Sequence, residues 1–147
     1  MIVAKNRKAY YQYNIIKEYE AGIKLKGPEV KSLRNHRADI KHSFAKIEND
    51  ELFLINAHIS PYKQAGNSDL DPKRKRKLLM KKKQIRALEK ETEKKGITLI
   101  PTKIYFKRGW AKVSIALAQG KTKSDKRETI KRRITEREME RERKKYI

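Results

Sequence analysis

The sequence predicts a mainly β fold: a small closed antiparallel barrel of about six strands, with two or three flanking helices and a basic C-terminal tail. Three observations carry this. Apolar residues alternate with a period of two in segments split by turn pairs. No strand–helix–strand rhythm runs through the chain. Residues 121–147 hold twelve Lys/Arg, six Asp/Glu and almost nothing to bury.

In chain order, residues 10–25 read as a long strand. Tyr11, Tyr13, Ile15, Tyr19, Ala21, Ile23 and Leu25 share one parity, with Lys17 the exception. Gly27-Pro28-Glu29 opens a short helix: proline suits a first-turn position that needs no amide hydrogen, and Glu29 faces the positive helix end. That helix ends near Asn35, with Val30 and Leu33 inward and Lys31 and Arg34 on another face. Residues 44–48 and 51–55 flank the turn pair Asn49-Asp50, and the second strand is expected to continue to Ile59 before Pro61 stops it. Residues 62–70 form a loop. A helix then begins after Asp71-Pro72 and runs toward Gly96, its larger apolar residues being Leu78, Leu79, Met80, Ile85 and Leu88. Residues 97–107 and 110–117 make a further hairpin around Arg108-Gly109, with Ala111, Val113, Ile115 and Leu117 alternating against Trp110, Lys112, Ser114 and Ala116. An oligonucleotide/oligosaccharide-binding fold over residues 1–120 is the natural candidate, with residues 121–147 as a separate tail.

Net charge is +22, of which the tail carries +6 and residues 1–120 carry +16. Charge of this size favours a polyanion and repels a second copy, so a monomer that binds nucleic acid is expected. No apolar run approaches the roughly 20 residues a membrane span requires, and the first residues do not read as a secretory signal. The absence of cysteine excludes disulfides and thiolate metal sites and fits a reducing cytoplasm. Catalysis is not expected. His36, His42 and His58 lack metal-motif spacing, all six glycines are isolated, and Glu89, Glu91 and Glu93 read as ion-pair partners on a charged helix. No catalytic residue, metal or cofactor is assigned.

The densest cations, Lys73-Arg74-Lys75-Arg76-Lys77, would place 73, 77 and 81 along one face of the expected helix, a stripe able to track phosphates. The plainer reading is a solvated helix end, and a nuclear address has the same composition. Asn6, Arg7 and Lys8 precede the first strand within reach of sugar or phosphate. Tyr10, Tyr11, Tyr13 and Tyr19 could stack unpaired bases, although strand-spaced tyrosines more often fill a core. In the tail, Glu128–Arg132, Arg132–Glu136 and Glu140–Lys144 sit at helical offsets worth about 0.2–0.5 kcal/mol each. Arg133–Arg137 and Glu136–Glu140 subtract as much. A tail disordered when free and helical when bound is the expectation.

Several stretches together resemble the SmpB family, which binds transfer-messenger RNA (tmRNA) in bacteria. They are Glu20-Ala21-Gly22-Ile23, Gly27-Pro28-Glu29-Val30-Lys31-Ser32-Leu33-Arg34, Ile59-Ser60-Pro61-Tyr62, Asp71-Pro72-Lys73-Arg74-Lys75-Arg76-Lys77-Leu78-Leu79, and Gly120-Lys121 with Asp125-Lys126-Arg127. The resemblance implies rescue of stalled ribosomes by trans-translation. A barrel would grip the tRNA-like domain of tmRNA, aid its charging by alanyl-tRNA synthetase and its delivery with elongation factor Tu. The tail would stand in the empty mRNA channel at the decoding centre of the small-subunit 16S rRNA. By position, Asn6, Glu20 and Leu79 match family residues implicated in tmRNA binding, and Asp125, Lys126 and Arg127 match the tail motif linked to accommodation in the ribosome. Lys31 and Arg34 join the RNA-binding set as cations on the short helix, and Lys121, Lys123, Lys131, Arg132 and Arg133 join the tail set. The family usually carries an aromatic or histidine before that Asp; Ser124 stands here and has no ring to stack. A structural ribosomal protein, whose tail threads through ribosomal RNA, is the alternative from another class. A nuclease acting on stalled message is a third.

Overall fold

The computed structural model describes residues 1–62 and 70–145. Most of the expected loop at 62–70 therefore lies outside the described residues. The chain opens with β1 (Ile2–Lys5), a short helix α1 (Arg7–Gln12) and the long strand β2 (Tyr13–Ile23). Helix α2 (Gly27–Arg34) and a two-residue strand β3 (Ala38–Asp39) follow, then the hairpin β4 (Phe44–Glu48) and β5 (Glu51–Ile55) and the short β6 (His58–Ile59). The second half holds β7 (Arg76–Leu79), α3 (Lys82–Thr92), the ribbon β8 (Ile97–Lys107) and β9 (Trp110–Gly120), and α4 (Lys123–Lys145).

Six strands close on themselves. Antiparallel pairing runs β8–β4–β5–β7–β2–β9, and β9 pairs again with β8, while β1 adds to the outer edge of β8. A closed ring leaves few unpaired strand edges, and its interior is filled by side chains. Ala21, Leu52, Leu54, Leu78, Leu99, Ile104, Val113, Ile115 and Leu117 form that interior with Leu33 of α2 and Leu88 of α3. Both hairpin turns have the two left-handed residues that a tight turn between right-twisted strands needs: Asn49 and Asp50 at φ 50° and 61°, Arg108 and Gly109 at φ 53° and 82°.

Three elements differ from their expected form. Residues 10–12 belong to α1, because β9 ends at Gly120 opposite Tyr13 and leaves no ladder partner further back. Ala9 plugs α1 against Ile100 and Ala118. The Lys17 exception marks a bulge between Ile15 and Lys17 that leaves Ile16 exposed. The strand after Glu51 stops at Ile55, since Asn56 turns into the left-handed region at φ 63°, and His58–Ile59 pairs instead with Ala38–Asp39.

The largest departure is the expected helix from Pro72. Residues 76–79 are a strand that joins β5 to β2, with Leu78 opposite Leu52 and Leu79 opposite Gly22, and helix starts only at Lys82. Without β7 the ring would stay open. The cationic stripe on one helical face does not form.

The reason lies in Arg76. It is 0% exposed, with Nε 2.6 Å from Glu29 Oε2, and it donates through Nη1 to Ala57 O and through Nη2 to Pro72 O at 2.7 and 2.9 Å. Arg74 reaches the other oxygen of Glu29 at 2.5 Å, and the Lys26 amide donates to it at 3.0 Å. Glu29, 4% exposed, thus locks α2 to β7. Burial on its own would raise its carboxyl, but Arg74, the Lys26 amide and Arg76 hold it below its usual value.

Candidate nucleic-acid interface

β8 and β9 alternate, so one parity fills the ring and the other faces out. On the outer side, Lys103, Tyr105 and Lys107 of β8 stand beside Trp110 and Lys112 of β9 and Glu20 and Gly22 of β2. At the ribbon's tip Trp110, Lys112 and Gly22 border an open cleft of about 430 Å³ between β2, β7, α2 and the hairpin. Leu79, 51% exposed, and Trp110, 73% exposed, form its walls together with Phe106. Gly22 makes room for Leu79: a Cβ there would stand 3.3 Å from Leu79 Cβ. An exposed indole and leucine beside a cleft are costly to leave in water, and here cations surround them. Lys24 and Lys112 line the cleft, Lys107 and Arg108 flank the tip, and the Arg34 guanidinium lies 4.6 Å from the Phe106 ring centroid. The chemistry fits a flat apolar group carrying negative charge at its edge.

Glu20 stands on the neighbouring strand β2. Its Oε2 lies 3.2 Å from Lys107 Nζ. Burial first, and Glu20 second, push the Tyr105 phenol up from its ordinary value. The carboxylate therefore anchors Lys107 next to the cleft.

The expected site residues separate into groups. Leu79 lines the cleft, Arg34 reaches its Phe106 wall, Glu20 pairs with Lys107 at the neighbouring tip, and Lys31 lies one turn back on α2 with Nζ 5.4 Å from the Tyr62 ring. Asn6 lies beside the middle of β8, at Pro101 and Thr102, roughly 15 Å back along the strand from Phe106. It is 2% exposed and its Nδ2 donates to Pro101 O at 3.1 Å, so it braces α1 and is no exposed contact, whereas Arg7 and Lys8 are exposed. Within the basic cluster Arg76 is corrected to a core residue and Arg74 to a partner of Glu29. Lys75 pairs with Glu48, with its ammonium 4.2 Å from the Phe53 ring, and Lys77 lies 3.5 Å from Glu51. Lys73 stays exposed. The sequence reading passed over Trp110, Phe106, Lys24, Lys107 and Lys112. Outward parity at a hairpin tip was the signal for Trp110 and Lys112.

The tail is helical in the structure, and its root does rest on the domain. Lys121 donates from its backbone N to Gln12 O and from Nζ to Tyr10 O, both at 2.9 Å, and Lys126 Nζ stands 5.7 Å from the Tyr11 ring. Arg127, Lys131, Arg132 and Arg133 are exposed, Arg132 lying 3.9 Å from Glu128. Ile130, Ile134 and Met139 are exposed too. The side chains of Lys123 and Ser124 lie outside what the structure describes. Among the described residues, no helix is long and apolar enough to cross a membrane, and no three His, Asp or Glu side chains are grouped to hold a metal.

A closed β-ring with an aromatic cleft rimmed by cations, carrying a long basic helix at the far end of its main ribbon, defines a class of small cationic scaffold. The family description "SmpB protein" matches residues 3–145. The chain is 54% identical to the SsrA-binding protein of Ligilactobacillus salivarius over 98% of its own length and 93% of that protein. It is 53% identical to the SsrA-binding protein of Carboxydothermus hydrogenoformans over 95% and 93%. A solved chain from work described as "tmRNA-SmpB: a journey to the center of the bacterial ribosome" superposes with a TM-score of 0.69 at 48% identity, covering 86% of this chain and 92% of that one. The chain belongs to the SmpB family.

Proposed function

We propose that this protein binds the tRNA-like domain of tmRNA and brings it to stalled ribosomes for trans-translation. The observation that carries the reading is Trp110, exposed beside Leu79 in a cleft rimmed by Lys24, Lys107, Lys112 and Arg34. Unpaired RNA is recognised by stacking bases on aromatic rings while cations take the phosphates. The relatives supply the RNA: they are SsrA-binding proteins, and SsrA RNA is tmRNA. In this reading residues 1–120 are an oligonucleotide-binding-type barrel that grips tmRNA as a monomer in the cytoplasm. Elongation factor Tu and alanyl-tRNA synthetase meet the protein only through tmRNA.

Residues 121–147 serve the ribosome. Arg127, Lys131, Arg132, Arg133, Arg137 and Arg141 of α4 are exposed and its sequence has few apolar residues, so a phosphate-lined channel suits it better than a protein groove. Beyond its first turn it rests on exposed ion pairs of about 0.2–0.5 kcal/mol each. It orders fully when 16S rRNA phosphates in the empty mRNA channel neutralise it.

The test is Trp110→Ala in the full chain. Loss of stacking costs about 1–3 kcal/mol of tmRNA affinity and leaves the salt slope unchanged. Lys107→Ala and Lys112→Ala each flatten that slope by about 0.7 for a single-stranded contact. Trp110→Ala binding the tRNA-like domain as tightly as the parent would remove the cleft from the interface.

A further inference from the structure

The root of the tail carries a small, closed hydrogen-bond circuit. The Thr122 amide donates to Asp125 Oδ2 at 3.1 Å, and the Asp125 amide donates to Thr122 Oγ1 at 3.2 Å. This is a reciprocal cap of the S/T-x-x-E kind with aspartate in the acidic place, and it puts a carboxylate in the first turn, where the helix dipole favours it. Thr122, and after it the Asn14 side chain of β2, hold that carboxyl below its usual value. On either side, Lys121 holds Gln12 O and Tyr10 O, and Lys126 covers Tyr11. Asp125 and Lys126 therefore face the domain, while Arg127 faces solvent.

Resting on the reading above, we propose that Asp125 is a positioning residue. With Thr122 it sets where α4 begins, between the Lys121 and Lys126 contacts that seat the root of the helix on the domain, and so it sets where α4 points. The resemblance links the Asp125-Lys126-Arg127 motif to work on the ribosome; the geometry assigns its first member to aiming the tail. Aim matters because α4 follows β9 almost at once. Its 23 residues make a rod of about 35 Å. A tilt of about 20° at the root displaces the far end by about 12 Å, roughly the width of a helix.

The experiment compares Thr122→Val, Asp125→Ala, Asp125→Glu and the Thr122→Val/Asp125→Ala double variant in the full chain. Three readouts are taken: tmRNA affinity, peptide tagging on stalled ribosomes in a reconstituted system, and NMR of the free protein. Thr122→Val and Asp125→Ala each lower tagging by roughly five- to tenfold, the size of one lost cap, with tmRNA affinity unchanged. The double variant is no worse than either, and Asp125→Glu keeps most activity. In both single variants the Cα shifts of residues 123–128 move toward coil and the Lys126–Tyr11 contact is lost. Two results overturn the proposal. One is Thr122→Val tagging like the parent while Asp125→Ala fails; the other is Asp125→Ala failing with its NMR signature intact. Either makes the carboxylate a direct contact of the partner. If the parent itself neither binds tmRNA nor tags, the functional reading has failed instead, and the NMR comparison still decides the cap.

Discussion

Glu29→Gln is expected to destabilise the fold by about 3–5 kcal/mol, because it leaves the guanidinium of Arg76 buried without a counter-charge. Such a loss is a large share of the about 5–15 kcal/mol that holds a domain of this kind together. Replacing both partners, as in Glu29→Leu/Arg76→Met, should recover most of it, since an apolar pair needs no neutralisation; Arg74, on the more open side of Glu29, can turn to water. The pair also predicts a pH dependence. The Glu29 carboxyl is held below its unfolded value in the native state, so its contribution is present above the unfolded pKa and is lost as pH falls through the folded one. Urea unfolding midpoints at neutral pH and across the acid limb check both points. The parent should lose stability faster than Glu29→Gln as pH drops below the ordinary carboxylate range. Equal midpoints for parent and Glu29→Gln at neutral pH would mean that Glu29 does not hold α2 to β7.

Ending the chain at Gly120 is expected to abolish peptide tagging while leaving tmRNA binding within about threefold at near-physiological salt. The six strands of the ring all end at or before Gly120, and the cleft with Trp110 and Leu79 sits at the opposite end of the β8–β9 ribbon from the tail. What the truncation removes is α4 and the +6 of charge it shares with its flanks. Affinity to the tRNA-like domain and tagging on stalled ribosomes, measured on the same preparation, read the two functions separately. Loss of tmRNA binding on truncation would contradict the division of labour between ring and tail.

The hairpins were legible because their turns demand particular residues. Asn49-Asp50 and Arg108-Gly109 both occupy the left-handed region, and the flanking alternation puts Leu52, Leu54, Val113 and Ile115 on the inside. Residues 73–80 were not. Five consecutive cations conceal the strand alternation, and an arginine at an inward position reads as surface until its partner is known. That partner, Glu29, looked like an ordinary first-turn acid, a role it also fills by accepting from the Lys26 amide. α1 was lost for a similar reason: its Tyr11 continues the parity of β2, and only the end of β9 shows that no partner strand remains. Leu79, which lines the cleft, and Glu20, which pairs with Lys107 beside it, were singled out through resemblance. Trp110 was visible as an outward-parity aromatic but drew no comment, because period-two reasoning looks to the inward face. Asn6 was the reverse, a polar residue read as a contact that the fold turns inward to brace Pro101.

Competitive binding at fixed near-physiological salt tests the central claim most directly: purified protein, the tRNA-like domain of tmRNA, and ordinary alanine tRNA as competitor. Salt must be held because a protein of net charge +22 binds any RNA when ions are scarce. A preference for tmRNA of tenfold or more, about 1.4 kcal/mol, that shrinks in Trp110→Ala is the predicted result. Equal binding of the two RNAs would mean that charge alone does the recognition, and it would contradict a specific tmRNA interface on the cleft.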